Sequence, residues 1–205
     1  METGLAFMGI TSQSCSKSYF QYQGDYYDPI KNMAREVISS ALNKVIEKSK
    51  EEGKKNIPCS FDVSWSHVRN APQASGELIY DGYIETSRYK PVIAFSICEK
   101  SRTITKEGKN ITTHEGNFDQ SSRQMEHQIL IDILEEITPI FRENNLLLDI
   151  AIDGDLDSNK TLSKYNIVNQ IFTDLKHKTK TIRNKINNGK YKKWENFEKC
   201  ILDYY

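Results

Sequence analysis

The stretch LLLDIAIDGDLDSNK, Leu146 to Lys160, decides the fold. Leu146, Leu147, Leu148, Ile150 and Ile152 form an apolar run of strand length that stops at three alternating carboxylates, Asp153, Asp155 and Asp157. Such a run is a buried strand that delivers acid groups to its own carboxyl end. Open α/β sheets carry their ligand sites at that end of their strands. Three alternating aspartates around Gly154 also fit a solvated turn, so the stretch needs a partner elsewhere in the chain.

Upstream, IPCSFDVSW (Ile57 to Trp65) has the same form, with Asp62 in its carboxyl half. After a loop marked by Asn70, Pro72 and Gly76 come two further strand candidates, Glu77 to Glu85 and Pro91 to Glu99, in an antiparallel meander. Lys100 to Asn117 is turn-like and too polar for a core. A helix is expected over Asp119 to Thr138, capped by Asp119, with Ile129, Leu130, Ile133, Leu134 and Ile137 as its buried stripe and Pro139 as a kink or stop. Ile167 to Thr173 is a last strand candidate. At the other end of the chain, Asp28 as N-cap and Pro29 at the first helical position open a helix whose apolar face runs from Ile30 to Ile46. That helix dissolves into a linker at Lys48 to Asn56.

The expected architecture is therefore α/β, a ribonuclease H-like mixed sheet of a three-strand antiparallel meander, a helix and parallel strands. It divides into an N-terminal helical segment (1–56), the sheet domain (57–186) and a basic helical tail (187–205). In that arrangement the first strand and the strand after the helix are parallel neighbours, so Asp62 and Asp153 meet across some ninety residues of chain. Paired carboxylates suit Mg²⁺ (or Mn²⁺), a hard cation that takes oxygen ligands and relieves their mutual repulsion.

Composition narrows the setting. The 205 residues are 27% charged and 38% hydrophobic, with zero net charge. No apolar run approaches the roughly 20 residues of a membrane helix, and METGLAFMGIT lacks the basic start of a signal peptide, so an intracellular protein with no membrane partner is expected. Cys15, Cys59, Cys98 and Cys200 are scattered with no C-x-x-C pair, which points to free thiols. From Lys160 onward eleven Lys and Arg stand against four Asp and Glu, leaving seventeen against twenty-four upstream. A basic end of this kind either tracks nucleic-acid phosphates or forms a solvated helix face.

Several segments in order resemble the Mutator-like transposase domain, of the ribonuclease H-like transposase superfamily. IPCSFDVSWS is similar to the family's strand with Asp, then Thr or Ser two residues on, then Trp; SSRQMEHQIL is similar to its Ser-Ser-x-x-Met-Glu helix start. IDGDLDSNK resembles its Gly-Asp-Gly-Asp-Ser-Lys turn, and DLKHKTKTIRNKI resembles the segment where a Cys-x-x-His pair precedes a basic helix. FMGITSQSCSKSYFQYQ resembles the lead-in, so the likeness runs from about Leu5 to Lys185. It implies Mg²⁺-dependent cleavage and strand transfer on DNA, with Asp62 and Asp153 as catalytic metal ligands, Asp155 in reserve, and His177, Lys178, Lys180, Arg183 and Lys185 on nucleic acid. The partners implied are DNA and a second copy of the chain, and the location is nuclear.

The departures carry information too. Val63 stands where the family has Gly, Ser101 and Arg102 fall near its paired cysteines, and Asp174 replaces the Cys before His177. The family's third acid is expected after a helical insertion beyond position 205, so the catalytic set is read as incomplete. A non-catalytic DNA-binding or assembly module is the alternative. Trp65 is read as a packing residue behind the acid strand rather than a base-stacking platform, and Glu126 as a helix-dipole complement.

Overall fold

The computed structural model describes residues 16–67, 70–84, 89–106, 109–153, 156–173 and 179. The chain divides into two compact units, Met1–Ser40 and Ala41–Tyr205. Helix α1 (Ser16–Glu51) crosses that boundary and carries Pro29 in its interior. The helix thus begins well before the Asp28-Pro29 pair expected to open it. A proline costs its own amide bond and crowds the preceding turn, yet its fixed φ is helical, and flanking residues can carry the helix through.

The apolar face of α1 behaves differently in its two halves. Leu42, Val45 and Ile46 belong to the core of the second unit, whereas Ile30, Met33 and Val37 of the first unit are exposed. The carboxyl end stops at Gly53, whose φ of 64° is a left-handed cap that glycine adopts without a Cβ penalty.

Among the described residues of the second unit, five strands form one sheet in the order β3-β2-β1-β6-β7. They are β1 (Asn56–Trp65), β2 (Gln73–Tyr80), β3 (Val92–Glu99), β6 (Leu147–Ile152) and β7 (Val168–Thr173). β1–β2 and β2–β3 are antiparallel; β1–β6 and β6–β7 are parallel. The mixed sheet and its helices are the α/β architecture the sequence predicts, and the order and directions agree with a ribonuclease H-like arrangement. The polar stretch after β3 is a separate two-stranded ribbon, β4 (Arg102–Lys106) with β5 (Lys109–His114).

One strand differs from expectation. β2 starts at Gln73 and ends at Tyr80, rather than spanning Glu77 to Glu85. Its first half, Gln-Ala-Ser-Gly, has small residues that read as loop, and the reason is packing. A Cβ on Gly76 would collide with Ile129 Cγ2 and crowd Val63 Cγ2 at 3.1 Å and Phe61 Cε2 at 3.3 Å. Small residues let the helix lie close on the sheet.

That helix, α2 (Met125–Glu143), follows a 3₁₀ turn at Ser122–Gln124 and packs on β2 and β3. Its start is stitched by Ser121, whose backbone N–H donates to Gln124 Oε1 at 3.2 Å, so Ser121 rather than Asp119 begins it. Met125, Ile129, Leu130, Ile133, Leu134, Ile137 and Phe141 are fully buried at helical spacing. Each such side chain contributes about 1.5–3 kcal/mol on burial. Pro139 does not stop α2, which ends at Asn144 and Asn145, the latter at φ 55°. The carbonyl deprived of its donor belongs to Glu135, an exposed residue on the solvent side, where water can take the bond. Between β6 and β7 the acid-rich segment leads into a short helix, α3 (Leu156–Leu162), anchored by buried Ser158, Thr161 and Leu162. Among the described residues no helix is long and apolar enough to cross a membrane.

Candidate functional site

Strand β1 alternates: Ile57, Cys59 and Phe61 are buried, while Pro58 and Asp62 are exposed. β6 does the same, with Leu148, Ile150 and Ile152 buried. Because side chains alternate across a sheet, Asp62 and Asp153 fall on the face opposite the core residues of each strand. The parallel ladder pairs Cys59 with Ile150 and Ser60 with Ala151. The ladder ends there, two residues short of each acid: Asp62 lies in the carboxyl half of β1 and Asp153 directly follows the last residue of β6. Asp62 Oδ1 accepts the Val63 N–H at 2.9 Å.

The antiparallel ladder adds a carboxylate that the sequence reading missed. Glu77 on β2 is the direct cross-strand partner of Asp62, and both are exposed. Like charges directly opposite in a sheet are destabilising, so nothing in the fold itself favours this pairing. No local pattern in the sequence could reveal it, because it depends on the register between β1 and β2.

Side-chain convergence is a separate matter. Among the described residues no group of three or more His, Cys, Asp or Glu side chains is gathered to hold a metal ion. The donor chemistry, carboxylate oxygens at adjacent strand ends, fits Mg²⁺ or Mn²⁺. Asp155, His177, Lys178, Lys180, Arg183 and Lys185 lie outside the described residues. Glu126 stands in the first turn of α2, where a negative charge complements the helix dipole.

The other side of the β1 end is a cavity of about 750 Å³, lined among others by Trp65, His67, Asn70, Ser121, Ser122 and Arg123. Trp65, expected as a packing residue behind the acid strand, stands at a cavity wall and is 36% exposed. Asn70 turns the loop with a φ of 50°. Ser122 Oγ donates to the Ala71 carbonyl at 2.8 Å and accepts from Lys100 Nζ at 3.0 Å, which ties the helix start to that loop and holds a cation beside it.

The described thiols offer no alternative chemistry. Cys59 and Cys98 are free and buried. Burial pushes the Cys98 thiol up to about 11, and burial raises Cys59 further, with Asp81 and Asp149 adding to the effect, so neither is a thiolate at neutral pH. His127 has its ring nitrogens 3.4 Å from Thr161 Oγ1, a contact between α2 and α3. No family model, no curated protein and no solved structure matches this chain.

Proposed function

We propose that the sheet unit is a nucleic-acid-processing domain of the transposase kind, in which Asp62 and Asp153 hold Mg²⁺ or Mn²⁺ against a DNA phosphodiester. The observation that supports this reading is the parallel pairing of β1 with β6, whose register, if continued two residues past Ser60 and Ala151, would set Asp62 beside Asp153. Divalent ions bound there would supply charge for activating the attacking water or hydroxyl and for stabilising the leaving oxygen. Asp62 would offer Oδ2, since Oδ1 accepts the Val63 amide. Asp153 contributes from β6, and Asp155 is the reserve ligand. Glu77, opposite Asp62, is positioned to add negative charge behind the first ion.

DNA is the partner this chemistry requires, with His177, Lys178, Lys180, Arg183 and Lys185 tracking its phosphates. Cleavage followed by strand transfer is the reaction of the complete family set, and a second copy of the chain is a further partner of this reading. Nuclear residence goes with that role, and imaging of a fluorescent fusion tests it. A second reading, a non-catalytic DNA-binding or assembly module, is favoured by one observation: the described carboxylates do not gather into a three-ligand group.

Calorimetry separates the two. Mg²⁺ and Mn²⁺ are titrated into the wild type, Asp62→Asn and Asp153→Asn, with a plasmid-nicking assay on the same samples. Metal binding lost in both variants is the expected result, and nicking by the wild type would show that a third ligand lies within the chain. A wild type that binds neither ion overturns the metal reading and leaves the DNA-binding module, whose affinity falls with salt and needs no metal.

A further inference from the structure

The cavity at the end of β1 is not used by the two acids. Its lining takes in Val63, Ser64 and Trp65, the three residues that end β1 beyond Asp62, and Asp62 itself is not among the lining residues. At about 3.3 Å per residue, the backbone positions of Asp62 and Trp65 are roughly 10 Å apart.

We infer that this cavity is a binding site for a nucleoside phosphate unit, its base laid on Trp65 and its phosphate held by Arg123. This inference rests on the proposed nucleic-acid role, and it adds a recognition site to it. The volume, about 750 Å³, lies within the range of small-molecule sites, roughly 300–1,000 Å³. The wall is of two kinds. One side is aromatic, and an indole face accepts any base because every base has a π-face. The other side is polar and cationic. Arg123 has no ion pair among the described residues, so its guanidinium is available for a bidentate bond to phosphate.

Two further groups reinforce the anion side. His67 lines the same cavity, and Lys100 reaches Ser122 Oγ on its wall. Among the described residues no carboxylate lines the cavity. An aromatic face beside Arg, Lys and His, with hydroxyls from Ser121 and Ser122 and no opposing acid, selects an anion that also carries a flat ring. A nucleoside phosphate has both parts; a simple anion has only one. Such a unit comes either from an unpaired stretch of a strand running over the β1 end toward Asp62, or from a free mononucleotide.

The test uses the full chain carrying Trp194→Phe, so that Trp65 is the one remaining indole. Its fluorescence is followed in EDTA while a ten-nucleotide oligothymidylate, thymidine 5′-monophosphate or inorganic phosphate is added. Affinities of Trp65→Ala, Trp65→Phe and Arg123→Gln are then measured with a labelled oligonucleotide by anisotropy. Quenching by the oligonucleotide is expected, with affinity reduced roughly 5- to 150-fold in Trp65→Ala and retained in Trp65→Phe. Arg123→Gln should lower the slope of log affinity against log salt by about one.

Tighter binding of the oligonucleotide than of the mononucleotide identifies a strand as the ligand; equal binding identifies a free nucleotide. Quenching by inorganic phosphate alone, or Trp65→Ala binding as tightly as the parent, overturns the inference. Because EDTA removes the metal, quenching that persists when calorimetry finds no Mg²⁺ or Mn²⁺ binding leaves this site standing and sinks only the metal reading.

Discussion

Replacing Gly76 by alanine puts a single methyl where β2 meets α2. Gly76 is paired with Val63 in β1 and Ser96 in β3, so it sits inside the sheet and not at an edge. Its φ is outside the left-handed region, so the backbone itself tolerates a side chain. Space is the obstacle. The new Cβ would overlap Ile129 Cγ2 and press on Val63 Cγ2 and Phe61 Cε2. Ile129 is fully buried, and Cγ2 hangs directly on a β-branched carbon whose rotamer a helix restricts, so it cannot swing aside. Overpacking of this kind costs about 1–3 kcal/mol. The lost flexibility of the unfolded chain returns about 0.4–1 kcal/mol, leaving a net loss of about 1–2 kcal/mol.

Urea unfolding reads this directly. With a slope of about 1–3 kcal/mol per molar, the midpoint of Gly76→Ala should fall by about 0.5–1 M at unchanged slope. The decisive sample is the double variant with Ile129→Leu, which deletes Cγ2 while keeping the carbon count. There the alanine should cost less than half as much, a coupling that only residues in contact show. A neutral Gly76→Ala, or the same loss in both backgrounds, would refute the account of why β2 begins with small residues.

Glu77→Gln should stabilise the metal-free protein by about 0.2–1 kcal/mol in low salt, because it removes a like charge opposite Asp62. That gain should vanish in the Asp62→Asn background and shrink as salt shortens the screening length. Pro139→Ala should raise the unfolding midpoint, since it restores an amide donor within α2 at an exposed position, and a lowered midpoint would show that the ring fills a needed contact. The buried Cys98 thiol holds its proton up to about 11 in the fold, from an ordinary value of 9.0. The unfolded chain therefore releases the proton first, and this contribution to stability is full below pH 9 and lost as pH rises toward about 11. Cys98→Ala should flatten that part of the stability profile, and parallel profiles for the two proteins would exclude the thiol as its source.

The sequence showed β1, β3, β6 and β7 within a residue or two because each is an apolar run whose neighbours are polar. It also showed the β1–β6 pairing, since three strands, a helix and a further strand leave few places for the last to go. Two prolines misled for one reason. Pro29 and Pro139 are local breakers, but a long helix continues on either side of each, anchored by buried residues elsewhere along it, and the loss of one bond is tolerated. Gly76 misled for the opposite reason: its smallness answers to Ile129, more than fifty residues away, and a local reading sees only a turn former. Glu77 and the exposure of Trp65 belong to the same class, since both are set by which strand or helix lies alongside.

The pair formed by Glu77 and Asp62 bears on why the acids are there at all. Two carboxylates directly opposite in the β1–β2 ladder oppose folding through their mutual repulsion. No arginine or lysine stands opposite Asp62 in the β1–β2 ladder, where one would have relieved the strain. A divalent ion binding only the folded form would reverse the sign, adding about 2.7 kcal/mol at a hundredfold excess over its dissociation constant. The repulsion and the gain then have one origin. The same substitutions that stabilise the metal-free chain should abolish its response to Mg²⁺, which a purely structural set of surface acids would not do.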